Sequence, residues 1–166
     1  MGKIIAIANE KGGTGKTTVA VNLGAALTIR GMKTLILDLD PQGNSSYILA
    51  NITEEDPAMY SVLANGDVPL SSIIQKTSTE NLDIAPSNLH LAGAEIQIAS
   101  MLGRENALKR KITADITSQY DFILIDTSPS LGLLTINALN AADYVLIPVS
   151  CDFLSLVGLT LLFNTI

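Results

Sequence analysis

An α/β fold, with a mostly parallel sheet flanked by helices, is predicted by three features of the sequence. Short β-branched runs alternate with stretches of helical periodicity. A strand, a glycine-rich loop, a helix and a second strand follow one another within about forty residues, the unit of a parallel sheet covered by helices. Hydrophobic residues make up 48% of the 166 positions against 16% charged, enough apolar material for one well-buried core and little for two.

The elements can be justified in order. "KIIAIA", residues 3–8, suits a strand buried on both faces. From Thr17, "TVAVNLGAALTIRG" keeps alanine, leucine and valine at helical spacings until Gly31 offers a stop. "KTLILDLD" is a second strand, broken at Pro41 by "PQGNSS". "DPAMYSVLANG" predicts a short helix, "SSIIQKTSTEN" a minor strand with polar turns, and "LDIAPS" another short strand. "LAGAEIQIASMLGRENALKRKITADITSQ" has helical spacing with an interruption near Gly103. "YDFILIDTSPS" returns to a buried strand, "LGLLTINALNAA" to a helix, and "DYVLIPVS" to a strand that Pro148 helps end. "DFLSLVGLTLLFNTI" reads as a helix still running at Ile166, which predicts a domain truncated at its C-terminus.

Composition also limits function. A net charge of −6 gives the chain as a whole no attraction for nucleic acid or acidic lipid. The lone Cys151 can form no internal disulfide, and no apolar run approaches the ~18 residues of a membrane span. A cytoplasmic protein is expected.

The chemistry centres on "ANEKGGTGKTT", residues 8–18. It nearly matches the phosphate-binding pattern G-x-x-x-x-G-K-[ST]: Gly15, Lys16 and Thr17 fit its end, but Glu10 stands where the first glycine should be, and Lys11 lies inside the loop. Gly12, Gly13 and Gly15 let the backbone curl with its N–H groups inward, and the helix beginning near Lys16 adds unpaired amides and its positive dipole end. Lys16 can reach terminal phosphates, the Thr17 hydroxyl can ligate Mg²⁺, and Thr18 can hydrogen-bond a phosphate from the first turn.

A magnesium site also needs acidic oxygens. Asp38 and Asp40 share one face at the end of the second strand, and Asp126 ends "FILID"; strand ends of this kind converge on the crevice beside a phosphate loop. Asp126 is assigned to the metal site behind Thr17, and Asp40 to orienting the attacking water. Asp38 either joins them or holds a local turn. Lys11 could neutralise charge on a transferred phosphoryl group, and the crowding of two lysines in one tight loop points to its delivery to another subunit.

At these residues the chain resembles the ParA/Soj group of partition ATPases, within the P-loop class having a deviant, MinD-like Walker A motif. "KGGTGKTT" is similar to that class's K-G-G-x-x-K-T-[ST] loop. "DLDPQGN", "APSNLHLAGAE", "YDFILIDTSPSLGLLTINAL" and "ADYVLIPVSCDF" resemble partition-protein segments in the expected order, so the similarity spans essentially the whole chain. It implies a three-layer P-loop NTPase fold over residues 1–166, lacking C-terminal strands and helices, and an ATPase whose cofactors are ATP and Mg²⁺. The nucleotide would be held by Lys11, Gly12, Gly13, Thr14, Gly15, Lys16, Thr17 and Thr18, and the metal by Thr17, Asp40 and Asp126. Catalysis would fall to Lys11, Lys16 and Asp40.

The resemblance further implies an ATP-dependent sandwich homodimer, in which Lys11 crosses to the partner's nucleotide and Gly12 lies where two backbones approach closely. Partners would be a ParB-like adaptor and non-specific DNA, with nucleoid association and no membrane. Two positions depart from the family pattern: Ser128 replaces a proline, and Val157 stands where a glutamate is usual. A MinD-like membrane-associated positioning ATPase is one alternative; it would use a basic amphipathic C-terminal tail, which is not seen in these 166 residues and which truncation would conceal. A nucleotide-binding regulator with little hydrolysis is the other, whereas a cluster-binding redox ATPase would need more than Cys151. His90 reads as a turn or helix-start residue, and Arg104, Lys109, Arg110 and Lys111 as a solvated helix face.

Overall fold

Six strands pair in the order β3-β4-β2-β5-β1-β6 in a computed structural model that describes residues 2–64 and 68–150. The strands are β1 (Lys3–Ile7), β2 (Thr34–Leu39), β3 (Gln75–Lys76), β4 (Leu82–Ala85), β5 (Phe122–Thr127) and β6 (Tyr144–Leu146). All neighbours run parallel except the short β3, which pairs antiparallel with β4 at the edge. β2 is buried at every position and β5 at all but its first, which is why both read as unbroken apolar runs rather than alternating ones.

The sheet has helices on both sides, and residue parity shows it. Ile36, Ile84 and Leu124 pack with Ala20 in one core cluster, while Leu35, Leu37, Ile123 and Ile125 pack on the other face with Leu91, Ala94, Leu108 and Leu134. The first cluster lies under α1 (Lys16–Ile29). Its buried stripe is Lys16, Ala20, Gly24 and Thr28, small after the lysine, and a Cβ at Gly24 would come within 3.1 Å of Ile36 Cδ1 and Leu82 Cδ1. The second face is covered by α3 (Met59–Ala64), α4 (Leu91–Ala99), α5 (Ala107–Lys111), α6 (Ala114–Gln119) and α7 (Leu133–Ala141).

The three-layer α/β arrangement agrees with the sequence, with two local differences. The residues after Pro41 form more than a break: Gly43 adopts a left-handed conformation (φ 61°) and starts a short helix, α2 (Asn44–Leu49), too brief to show periodicity. The long helical stretch is interrupted at Gly103 (φ 64°), as expected, and again at Ile112–Thr113, where Thr113 is extended and precedes α6. The helix expected over residues 152–166, together with Cys151 and Val157, lies outside the described residues.

Candidate functional site

The loop between β1 and α1 opens at the C-terminal ends of the central strands. Gly13 (φ 75°) and Gly15 (φ 86°) are left-handed, a conformation that a side chain would strain. Gly15 precedes α1 with no side-chain cap, and the first turn of α1 holds no acidic residue. The helix therefore presents its orphan N–H groups and positive dipole end to the loop, a setting suited to phosphate. Gly12, Gly13, Gly15, Lys16, Thr17, Thr18, Asp40, Asn44 and Pro129 surround one cavity of about 310 Å³.

Lys11 and Thr14 contribute to the loop's framework. The Lys11 carbonyl accepts from Thr14 Oγ1 at 3.2 Å and from Lys16 Nζ at 3.4 Å. The Lys11 N–H donates to Asn9 Oδ1 at 3.0 Å, and Asn9 Nδ2 donates to the Pro148 carbonyl at 2.7 Å. Asn9 thus ties the loop to the segment after β6, a role that the sequence reading missed; its only signal was a buried-type position directly after a strand.

Beneath the loop lie the carboxylates. Asp38 and Asp126 are register partners on β2 and β5, both fully buried, and Asp40 is 6% exposed. Ser45 Oγ donates to Asp126 Oδ2 at 2.6 Å. The Thr17 hydroxyl lies beside the same carboxylate and favours its charged form, yet Asp126 Oδ1 is buried without a hydrogen-bond partner. Burial pushes Asp126 above the usual carboxylate range, against the Ser45 and Thr17 hydroxyls. Burial likewise lowers the Lys16 ammonium, while Asp126 and Asp40 nearby hold it up.

Asp38 takes the second of the two readings open to it. Its Oδ2 accepts from Ser46 N–H (2.8 Å) and Ser46 Oγ (2.7 Å), and its Oδ1 accepts from Asp40 N–H (3.1 Å), so it holds the turn carrying Asp40. Asp40 Oδ1 in turn accepts from Gln42 N–H at 2.9 Å. Ser45 and Ser46 were read only as part of a break, because the helix that aims them is invisible at this length. A larger cavity, about 620 Å³, lies around Lys33, Lys76, Asn81, Asp83 and Tyr120 and contains none of the loop residues.

The chemistry of the donor set is a cation-plus-phosphate site: one hydroxyl, two convergent carboxylates, an orphaned buried oxygen and an ammonium. His90 precedes α4 as expected, exposed beside Tyr60, and Lys109 and Arg110 are exposed.

Comparison with known proteins agrees with this geometry. A family model described as AAA domain (AAA_31) matches residues 2–166. The chain is 49% identical to the sporulation initiation inhibitor protein Soj of Bacillus subtilis (strain 168), covering all of this chain and 65% of that protein. It is 46% identical to the chromosome-partitioning ATPase Soj of Treponema pallidum (strain Nichols), covering all of this chain and 64% of that protein. The chain therefore spans just under two thirds of the length of these relatives. A solved structure of cobyrinic acid a,c-diamide synthase from Mycobacterium smegmatis, with bound ATP analog and magnesium, superimposes with a TM-score of 0.92 at 39% identity, over 99% of this chain and 67% of that one. With its motifs, topology and loop geometry in agreement, the chain belongs to the AAA domain (AAA_31) family and, within it, to the ParA/Soj group with a deviant Walker A loop.

Proposed function

We propose that residues 1–166 form an ATP-binding unit that hydrolyses ATP to ADP and phosphate in an ATP-dependent sandwich dimer, as part of a DNA partition system. The observation that carries this reading is the convergence of Lys16, Thr17, Asp40 and Asp126 on the uncapped start of α1, with Asp126 Oδ1 left unpaired beneath it. The similar structure solved with an ATP analog and magnesium, and the relative named a chromosome-partitioning ATPase, support it.

The residues fit magnesium: the Thr17 hydroxyl, Asp126 and Asp40 would hold it, and it would supply positive charge that neutralises the phosphates. The buried Asp126 oxygen without a hydrogen-bond partner fits that cation site. The rest of the work falls to this chain's own groups. The α1 amides and Thr18 bind phosphate, and Lys16 exchanges the Lys11 carbonyl for the terminal phosphates. Asp40 orients the attacking water and accepts its proton. Lys11 reaches the nucleotide of a second copy, and Gly12 permits the two backbones to meet there. The ATP-bound dimer holds DNA without sequence preference at the nucleoid, and a ParB-like adaptor stimulates weak turnover. No described helix is long and apolar enough to cross a membrane.

The test is the mass in solution with ADP, ATP and a non-hydrolysable analogue, for the parent chain and two variants. A doubling of mass is expected with ATP and the analogue only. Lys11→Ala should lose the doubling and most turnover, by about a hundredfold or more, while keeping nucleotide binding. Asp40→Ala should retain an ATP-bound dimer and lose turnover by about a hundredfold. Impaired nucleotide binding with normal assembly in Lys11→Ala, or brisk turnover in Asp40→Ala, would refute these roles.

A further inference from the structure

Ser45 and Ser46 are consecutive and buried, and each holds one of the two carboxylates that face each other on β2 and β5. They do so differently. Asp38 is engaged at both oxygens: Ser46 donates to Oδ2 through its N–H and its hydroxyl, and the Asp40 N–H donates to Oδ1. Asp126 is held from α2 at Oδ2, where the Ser45 hydroxyl donates at 2.6 Å, and its Oδ1 has no hydrogen-bond partner among the described residues. A separation of 2.6 Å is that of a hydroxyl donating to a charged carboxylate. A carboxylate anchored at one oxygen is fixed in rotation and keeps the other for a further ligand. Asp38 therefore has little left to offer a cation, whereas Asp126 is oriented for one.

Groups that hold a metal ligand from behind govern how well it binds, because a ligand left unanchored must be ordered when the cation arrives. The Ser45 hydroxyl stands in that relation to Asp126. It is also joined to Asp40 along the chain. The Gly43 N–H donates to the Asp40 carbonyl at 2.9 Å, and the Tyr47 N–H donates to the Gly43 carbonyl at 2.8 Å, so the turn after Asp40 runs unbroken into α2. Asn44, directly before Ser45, lines the phosphate cavity. On the other side the turn is packed against the residues after β4: a Cβ on Gly43 would lie 3.1 Å from the Ser87 carbonyl oxygen.

We propose that Ser45 is a positioning residue for the cation: its hydroxyl sets the rotation of the Asp126 carboxylate and ties it to the turn carrying Asp40, so that cation binding tightens residues 41–46. The proposal rests on the reading of Asp126 as a magnesium ligand and adds the residue that orients it.

The probe is Mn²⁺, a paramagnetic substitute for Mg²⁺, titrated into the 166-residue chain with saturating ADP and followed by the electron paramagnetic resonance of the free ion. ADP binding in EDTA is measured separately. Ser45→Ala should weaken Mn²⁺ binding about tenfold and leave ADP binding in EDTA unchanged. Ser45→Cys fills nearly the same space with a much weaker donor and should weaken Mn²⁺ binding similarly, which keeps the test open if the alanine variant does not fold. Ser45→Thr keeps the hydroxyl and should bind Mn²⁺ as the parent does; a threonine variant as weak as the alanine one would assign the loss to packing and overturn the proposal. Amide exchange at residues 41–46 should slow when Mn²⁺ is added to the parent with ADP, and much less in Ser45→Ala. A hydroxyl that only stabilises the fold would leave the Mn²⁺ affinity unchanged and the exchange response to Mn²⁺ intact when removed, and that result overturns the positioning role alone. A parent chain that binds neither ADP nor Mn²⁺ would overturn the nucleotide reading and this proposal with it.

Discussion

Asp38 and Asp126 stand opposite each other on β2 and β5, and the consecutive Ser46 and Ser45 each donate to one of them. Two buried carboxylates so close cannot both be comfortably charged without a compensating cation. Burial, reinforced by Asp126, pushes Asp38 up to about 7 despite the opposing bonds from Ser46 and Asp40. The folded chain then holds this proton more tightly than the unfolded chain does, where the value is about 4. The stability from the neutral carboxyl is full below about pH 4 and is lost as pH rises through about 7. Asp38→Asn does not titrate, so it serves as the reference. In buffer with EDTA and no nucleotide, the unfolding free energy of the parent minus that of Asp38→Asn should fall by up to about 4 kcal/mol between these limits and level off above them. A difference that stays constant across this range in urea titrations would show that Asp38 is ionised throughout.

At the scale of elements, Glu95 on α4 caps α7: its Oε1 accepts the Leu134 N–H at 3.1 Å, at the end of the 127–132 segment that leaves β5 beside Asp126. A Cβ on Gly132 would collide with that Glu95 oxygen, although the Gly132 backbone is extended and open to any residue. Glu95 is a flexible side chain, so Gly132→Ala should displace it rather than disrupt the backbone. Each of Glu95→Ala and Gly132→Ala is expected to cost about 1 kcal/mol, the value of a lost helix cap. Together they should cost little more than one alone, since both remove the same bond. Additive losses in denaturant midpoints would refute the shared cause. This contact explains the limits of sequence reading here. β1, β2 and β5 were legible because two-sided burial leaves continuous apolar runs, and the loop was legible because its glycines and lysines are adjacent in the chain. The bonds of Asn9 to Pro148, Ser45 to Asp126 and Glu95 to Leu134 join residues that only the sheet order brings together. Nothing local marks them.

For the molecule as a whole, Gly12 separates what this chain needs from what an assembly needs. Gly13 and Gly15 are required by their own left-handed backbones, but Gly12 is not left-handed. Among the described residues a Cβ there would meet nothing nearer than Pro129 Cβ at 4.0 Å, and the residue is exposed. The described residues therefore give no steric reason for this glycine, and its own nucleotide or a second copy would supply one. Gly12→Val should leave thermal stability within about 0.5 kcal/mol of the parent, as expected of a surface change. If the glycine serves the close approach of two subunits, the variant binds ATP normally yet remains at monomer mass. Loss of ATP binding in a folded variant would assign Gly12 to its own phosphate cavity instead, and an ATP-dependent doubling of mass that survives the substitution would remove Gly12 from the dimer interface.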